Sequence, residues 1–121
     1  MDTVESHYDK ILKQEASKQL FTGCECGNST RMMAEHLGLD KLEMCTISTA
    51  CSSALNAIIV GAEMLKRNEV DVVIAGGAEA LSRIHFNGFN TLMILDKEQC
   101  RPFDATRAGL NLGEGAAFVV L

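Results

Sequence analysis

The alternation of hydrophobic and polar positions divides the chain into helical and extended segments. Apolar residues recur at helical spacing over Met1–Leu20, which predicts an amphipathic helix. Continuous apolar and β-branched runs over Glu43–Ala50, Val70–Ala75 and Ala116–Leu121 predict three buried strands. Between the first two strands, Ser52–Arg67 is apolar on nearly every side. This pattern predicts a helix that is buried inside a layered fold or against a partner subunit.

The remaining segments are shorter or less regular. The polar cluster Asn28–Thr30 is typical of a helix N-cap, and the helix it begins is expected to end at Gly38. The spacing over Ile84–Leu95 predicts an irregular helix, and Asp96–Gly115 is a long loop that contains the chain's single proline. The succession of strand, helix and strand predicts an α/β fold with helices layered on a sheet.

Composition narrows the class of protein. The chain has 121 residues, which suits one domain, and 47% of them are hydrophobic. The net charge of -5 and the absence of a Lys/Arg cluster argue against a nucleic-acid partner. No apolar run approaches the roughly 20 residues that span a bilayer, and the charged N-terminus does not resemble a signal peptide. We therefore expect no membrane span and a cytoplasmic location.

The cysteines are the candidate reactive groups. Their number is odd, which favours free thiols over a disulfide framework. They are Cys24, Cys26, Cys45, Cys51 and Cys100. Cys24 and Cys26 are spaced as Cys-x-Cys and lack the second ligand pair of a structural zinc site, so a metal or redox site there is disfavoured and no metal is predicted.

Cys51 stands at the junction between a predicted strand and a predicted helix. A thiol at a helix N-terminus faces free N–H groups and the positive end of the helix dipole, and both favour a thiolate. Cys51 is therefore a candidate nucleophile. The alternative for this cysteine taken alone is a small buried core residue.

Four segments carry a family resemblance. They are Thr49-Ala50-Cys51-Ser52-Ser53, then Asp71 to Ala80 with its Gly76-Gly77 pair, then Arg101-Pro102-Phe103-Asp104 with Arg107 and Gly109, and then Gly113 to Ala117 leading into a strand. Together, and with Gly88-Phe89, they resemble the β-ketoacyl-ACP synthases, the condensing enzymes of the thiolase superfamily. The resemblance covers about residues 28–121, and 1–27 form a less diagnostic helical lead-in.

The resemblance implies a fold and a reaction. The fold would be a partial thiolase-like α/β/α sheet. Residues 1–121 would form a single partial N-terminal ketosynthase domain. The family's sheet has five strands, whereas three are predicted here. Cys51 matches the family's acyl-accepting cysteine, whose backbone N–H belongs to the oxyanion hole. Phe89 matches a residue that lines the acyl pocket. The Gly76-Gly77 and Arg101–Asp104 segments match supports around the active site.

The implied reaction is acyl transfer to Cys51 followed by decarboxylative condensation with malonyl-ACP, in fatty acid or polyketide synthesis. The implied partner is the acyl carrier protein, whose phosphopantetheine holds the substrates, and no cofactor of the enzyme's own is expected. The family dimerises by pairing the strands that precede the nucleophile, so Glu43–Ala50 would be the edge of a homodimer.

One departure from the family limits these expectations. The family uses two histidines and a lysine from a second, pseudo-symmetric half, and His7, His36 and His85 do not fall in its histidine motifs. We therefore expect a truncated gene product or a fragment of a condensing enzyme that does not turn over alone. The alternatives are a non-catalytic interaction or dimerisation fragment, and a thiolase-type acyltransferase that uses CoA thioesters.

Overall fold

The computed structural model describes residues 8–13 and 25–121. Four helices lie in these ranges: α1 (Tyr8–Leu12), α2 (Asn28–His36), α3 (Ser53–Lys66) and α4 (Arg83–Thr91). Two strands accompany them, β1 (Ile74–Glu79) and β2 (Gly115–Val120). Helix α1 lies within the predicted Met1–Leu20 helix, and the rest of that prediction falls outside the described residues.

Strands β1 and β2 form an antiparallel two-stranded sheet. Ile74 is paired with Val120 and Glu79 with Gly115. The ladder continues one step further, because Val73 and Leu121 exchange two backbone hydrogen bonds of 3.0 and 2.9 Å. The predicted third strand is confirmed within one residue. The second strand was predicted at Val70–Ala75, and it begins and ends about four residues later, at Ile74–Glu79. Gly115–Val120 pairs with residues 74–79 and Leu121 with Val73, and this strand supplies no partner for residues 70–72.

The strand predicted at Glu43–Ala50 is wrong, because residues 42–48 form no strand. An apolar, β-branched run becomes a strand only where a neighbouring chain offers its backbone groups. Within the described residues β1 pairs with β2, and neither pairs with this segment. The homodimer expected through this segment stays a prediction.

Helix α2 begins and ends close to its predicted limits. Its N-cap is Gly27, with no capping side chain, whereas the sequence pointed to Asn28–Thr30. The Asn28 side chain instead accepts a hydrogen bond of 2.6 Å from Arg31. At the other end, Gly38 has a φ of +63°, a left-handed conformation that glycine adopts without a steric penalty.

Helix α3 packs one face on β1, and this contact forms the centre of the described fold. Gly61 and Ala75 are buried where the two elements meet. The opposite face is open, with Leu55 61% exposed and Ile59 50% exposed. The prediction of a helix buried on nearly all sides is therefore correct for one face only, because the described part of the chain supplies a single covering layer.

The predicted long loop is ordered by side-chain hydrogen bonds. The amide nitrogen of Asn111 donates to the carbonyl oxygens of Asp96 and Glu98 at 3.1 and 3.0 Å, and its oxygen accepts from the backbone N–H of Cys100 at 2.7 Å. Arg101 lies 3.5 Å from the nearly buried Asp96 carboxylate and donates to the carbonyl of Thr106 at 2.9 Å. These contacts hold the two ends of the loop together.

Candidate active site

Cys51 lies immediately before Ser52, the N-cap of α3. Its side chain is exposed and its thiol is free. The first N–H of the helix, that of Ser53, donates to the carbonyl of Ala50 at 3.2 Å. The N-cap makes no side-chain capping bond, so the next N–H groups, those of Ala54 and Leu55, are open to another acceptor near Cys51. The predicted position of Cys51 at a helix N-terminus is therefore what the structure shows.

The turn that presents Cys51 is strained. Ala50 has a φ of +54°, in the left-handed region. A residue with a Cβ atom in this region costs about 1–2 kcal/mol relative to its ordinary conformations. Such strain persists where surrounding bonds fix the backbone, and it is found most often at functional sites.

Four polar side chains fix this turn. Ser53 Oγ accepts from the backbone N–H of Thr49 at 2.9 Å and donates to the carbonyl of Ala50 at 2.6 Å. Ser52 Oγ donates to the carbonyl of Thr49 at 2.8 Å. Asn56 Nδ2 donates to Thr49 Oγ1 at 2.7 Å. The sequence motif Thr-Ala-Cys-Ser-Ser thus surrounds the cysteine with groups that hold its backbone, and Asn56 is a member that the sequence reasoning missed.

An open cleft of about 1120 Å³ lies in front of Cys51. Its walls come from α2, the segment before Cys51, the start of α3, and both strands. The residues that line it are Cys26, Ser29, Thr30, Met33, Cys45 to Ser48, Ala50, Cys51, Ser53, Ala54, Ala57, Gly76 to Glu79, His85 and Gly115 to Phe118. The cleft therefore brings the nucleophile motif together with the predicted Gly76-Gly77 segment and with the strand that follows Gly113.

The glycine pair allows the strands and α3 to approach closely. A Cβ atom on Gly77 would lie 2.8 Å from the Cβ atom of Ala54, and one on Gly76 would lie 2.1 Å from the carbonyl oxygen of Ala117. Both distances are too short for a side chain. Gly77 therefore sets the distance between the sheet and the first turn of α3, which is the turn that follows Cys51, and Gly76 allows the close approach of β2.

A second polar cluster lies at the start of α4, and two of its members, Glu79 and His85, line the same cleft. Ser82 is the N-cap of this helix, and its Oγ accepts from the backbone N–H of His85 at 3.2 Å. The Nδ1 atom of His85 lies 3.0 Å from Ser82 Oγ and 3.6 Å from a carboxylate oxygen of Glu79. The sequence reasoning set His85 aside, and the signal it could have used is the serine three residues earlier, which is typical of an N-cap.

Other predicted residues lie away from the cleft. Phe89 is half-exposed on α4, one turn beyond His85, and does not line it. Residues 101–104 do not line it either, and Phe103 is fully exposed with a φ of +65°. Two hydrogen bonds from Thr106, from its hydroxyl and its backbone N–H, lower the pKa of the Asp104 carboxyl.

Metal-ligand clusters and membrane-spanning helices are both absent from the described ranges, 8–13 and 25–121. No three His, Cys, Asp or Glu side chains converge there as a metal-ligand group. No helix in these ranges has the length and hydrophobicity that crossing a membrane requires. Cys24, half of the Cys-x-Cys pair, lies outside them.

The sequence and the fold were then compared with known proteins. Residues 5–121 match the family described as "Beta-ketoacyl synthase, N-terminal domain". The chain belongs to the β-ketoacyl synthase family. The resemblance that the four motifs carried is thereby confirmed, and the fold is the partial α/β fold of these enzymes.

Two individual relatives are similar to most of this chain and to a smaller part of their own length. It is 34% identical to nodulation protein E of Rhizobium meliloti, over 99% of this chain and 30% of that protein. It is 35% identical to chloroplastic 3-oxoacyl-[acyl-carrier-protein] synthase I of Hordeum vulgare, over 63% of this chain and 18% of that protein.

A solved structure gives the same result. The ketosynthase ApeO in complex with its chain length factor ApeC, from Xenorhabdus doucetiae, matches with a TM-score of 0.83 and 33% identity, over 98% of this chain and 31% of that chain. The sequence therefore spans less than a third of the length of these three ketosynthase relatives.

Proposed function

We propose that this chain carries the acyl-accepting cysteine of a β-ketoacyl-ACP synthase, and that Cys51 is that cysteine. The observation that carries the proposal is the position of Cys51: it is exposed in a cleft, directly before the uncapped N-terminus of α3, in a chain of the ketosynthase family. The free N–H groups at that helix end suit the oxyanion that forms during acyl transfer.

The first half-reaction transfers the acyl group. Cys51 Sγ, as the thiolate, attacks the carbonyl carbon of an acyl-ACP thioester, and a new sulfur–carbon bond forms. The carbonyl oxygen becomes an oxyanion beside the helix N-terminus, where the backbone N–H of Cys51 lies. The intermediate collapses, the bond to the phosphopantetheine sulfur breaks, and that sulfur takes a proton as it leaves.

The second half-reaction forms the carbon–carbon bond. Malonyl-ACP loses CO2, and the electron pair left on its α-carbon attacks the thioester on Cys51. Cys51 Sγ is released, and β-ketoacyl-ACP is longer by two carbons. The three histidines of this sequence do not match the family's decarboxylation motifs. We therefore propose that the chain alone accepts an acyl group once and does not condense it.

The substrate carrier, the site residues and the location follow from this proposal. Both substrates arrive on the phosphopantetheine of the acyl carrier protein, so the chain needs no cofactor of its own, and Phe89 is the proposed acyl-pocket residue. Free thiols suit a reducing compartment, and the described cysteines Cys26, Cys45, Cys51 and Cys100 are all unpaired, which supports a cytoplasmic enzyme.

A dimeric assembly is also part of the proposal. The ApeO structure holds a ketosynthase together with a chain length factor. In this chain the outer face of α3, with Leu55 and Ile59, is apolar and exposed. This face supports assembly with a second subunit, and the homodimer through the segment before Cys51, residues 43–50, remains part of the proposal.

Comparing acyl donors tests the proposed function. The full chain is incubated with an acyl-ACP and, separately, with the same acyl group on CoA, and the released thiol is counted per chain. The proposal predicts about one thiol per chain, formed faster with ACP than with CoA. Faster release from CoA would favour a thiolase-type acyltransferase, and no release from either donor would favour a non-catalytic interaction fragment. Steady CO2 release from malonyl-ACP would show that the chain alone does turn over.

A further inference from the structure

The turn that holds Cys51 is tied to the second turn of α3 by one side chain. Asn56 is half-buried, and its Nδ2 donates 2.7 Å to Thr49 Oγ1 and lies 3.3 Å from Ser52 Oγ. Thr49 and Ser52 stand on either side of the Ala50-Cys51 pair. The amide of Asn56 therefore bridges the two ends of the turn from a position further along the helix.

The other bonds in the turn are more local. Ser52 bonds to Thr49, three residues earlier, and Ser53 bonds to Thr49 and Ala50. These bonds hold the turn against Ser52 and Ser53, at the very start of α3. The bond from Asn56 spans seven residues and adds a tie to the turn from further along the helix. It also opposes the tendency of Ala50 to leave its left-handed conformation.

We propose that Asn56 is a positioning residue for Cys51, which acts by holding Thr49 and Ser52 so that the thiol stays beside the first N–H groups of α3. The proposal deepens the proposed function, since it takes Cys51 as the nucleophile. Asn56 itself touches neither the substrate nor the reacting sulfur in this role.

Competitive alkylation of the thiols measures this effect. The full chain is treated with a small amount of iodoacetamide, and the alkylation rate of Cys51 is divided by that of Cys45, which lines the same cleft. Cys51 is already exposed, so a looser turn would hardly increase the access of iodoacetamide to the thiol. A thiol that no longer stays beside the N–H groups of α3 should react more slowly, because those groups favour the thiolate. A hydrogen bond of about 1 kcal/mol corresponds to a roughly fivefold fall in the ratio for Asn56→Ala.

Substitutions at the acceptor separate positioning from a general loss of structure. Thr49→Val keeps the shape of the side chain and removes Oγ1, so it should lower the ratio as Asn56→Ala does. Thr49→Ser keeps the hydroxyl acceptor, so its ratio should stay close to that of the natural chain. The double variant Asn56→Ala/Thr49→Val should lower the ratio by less than the product of the two single effects, because both changes remove the bond between Asn56 Nδ2 and Thr49 Oγ1. Each change also removes one bond to Ser52 Oγ, so the overlap is not complete. Glu63→Ala, on the same helix but away from the turn, is the matched control and should leave the ratio unchanged.

Three results would overturn the inference. The first is an unchanged ratio in Asn56→Ala. The second is a fall of the ratio in Thr49→Ser as large as the fall in Thr49→Val. The third is a rise of both alkylation rates in Asn56→Ala to the rate of a free cysteine, which would mean that Asn56 holds the fold and not the turn. Acyl transfer is measured separately on the natural chain. If that chain takes no acyl group while the alkylation ratio still falls in Asn56→Ala, the proposed function fails and the positioning role stands.

Discussion

Gly77 of β1 lies directly against Ala54 in the first turn of α3. A Cβ atom placed on Gly77 would be 2.8 Å from the Cβ atom of Ala54 and 3.6 Å from its Cα atom. The backbone of the strand therefore meets the methyl group of Ala54, three residues after Cys51, with no side chain on the strand between them. This contact connects the position of the sheet to the position of the candidate nucleophile.

The change Gly77→Ala should disturb both stability and the cysteine. The added methyl group has no room, and overpacking of this kind costs about 1–3 kcal/mol. We expect a lower thermal midpoint and an altered rate of Cys51 alkylation. The control is Gly113→Ala, because a Cβ atom there meets nothing within 4 Å. Equal midpoints for the two variants would show that the close approach at Gly77 does not exist in solution.

A second close contact, between Gly61 and Val73, predicts a compensating pair. A Cβ atom on Gly61 would lie 2.6 Å from Val73 Cγ1 and 3.6 Å from Val73 Cβ. Gly61→Ala should therefore destabilise the chain, although alanine is favoured over glycine in a helix by about 1 kcal/mol. Val73→Ala removes the clashing methyl and leaves an ordinary contact.

Chemical denaturation of the two single variants and the double variant measures this coupling. We expect the double variant to be more stable than the sum of the single changes predicts, by about 0.5–3 kcal/mol. Additive effects would contradict the packing of α3 on this part of the sheet.

The long loop should depend on Asn111. Its side chain makes three hydrogen bonds to backbone groups of residues 96–100. Asn111→Ala leaves these groups without their partner, which costs about 1–3 kcal/mol for each group that stays buried. We expect faster hydrogen exchange at the Cys100 amide, whose acceptor is removed, and faster proteolysis between residues 97 and 109. Asn90→Ala, on the exposed surface of α4, is the control, and a loop equally protected in both variants would refute the role of Asn111.

The Asp104–Thr106 turn should respond to acid. The hydrogen bonds from Thr106 lower the pKa of Asp104 in the folded chain below its unfolded value. The stabilisation by this carboxylate is therefore complete above the unfolded pKa and is lost as the pH falls through the lower, folded pKa. An NMR titration of the Thr106 amide should show a shift only below the ordinary Asp range, and Asp104→Asn should abolish it. A midpoint at or above the ordinary Asp value would contradict this geometry.

Local patterns in the sequence were enough to place α2, α3, α4 and β2, because each has apolar spacing or flanking residues typical of its structure. The Glu43–Ala50 strand could not be predicted in the same way. Its pattern is that of a strand, but whether it forms a ladder depends on a neighbouring strand, and the described residues provide none. The exposure of Leu55 and Ile59 on α3 could not be predicted for the same reason, because the burial of a helix face depends on elements far away in sequence.

The candidate site was predictable to a similar extent. The motif around Cys51 indicated a helix that begins just after the cysteine, and the structure places it there. The role of Cys51 as nucleophile stays a prediction. The bond between Asn56 and Thr49 and the cluster of His85 with Glu79 were not visible, because each depends on the angle between two elements. Phe89 stays a prediction: it is placed on α4, outside the cleft that Cys51 lines.

The measurement that tests the central claim most directly is the location of the acyl group after the full chain has reacted with acyl-ACP. Digestion and mass spectrometry would assign the added acyl mass to one peptide, with Cys45→Ala as the control that removes another thiol of the same cleft. The account predicts acylation at Cys51, unchanged in Cys45→Ala and absent in Cys51→Ala. Acyl groups found on Cys26, Cys45 or Cys100 at the level of Cys51, or retained in full by Cys51→Ala, would contradict it.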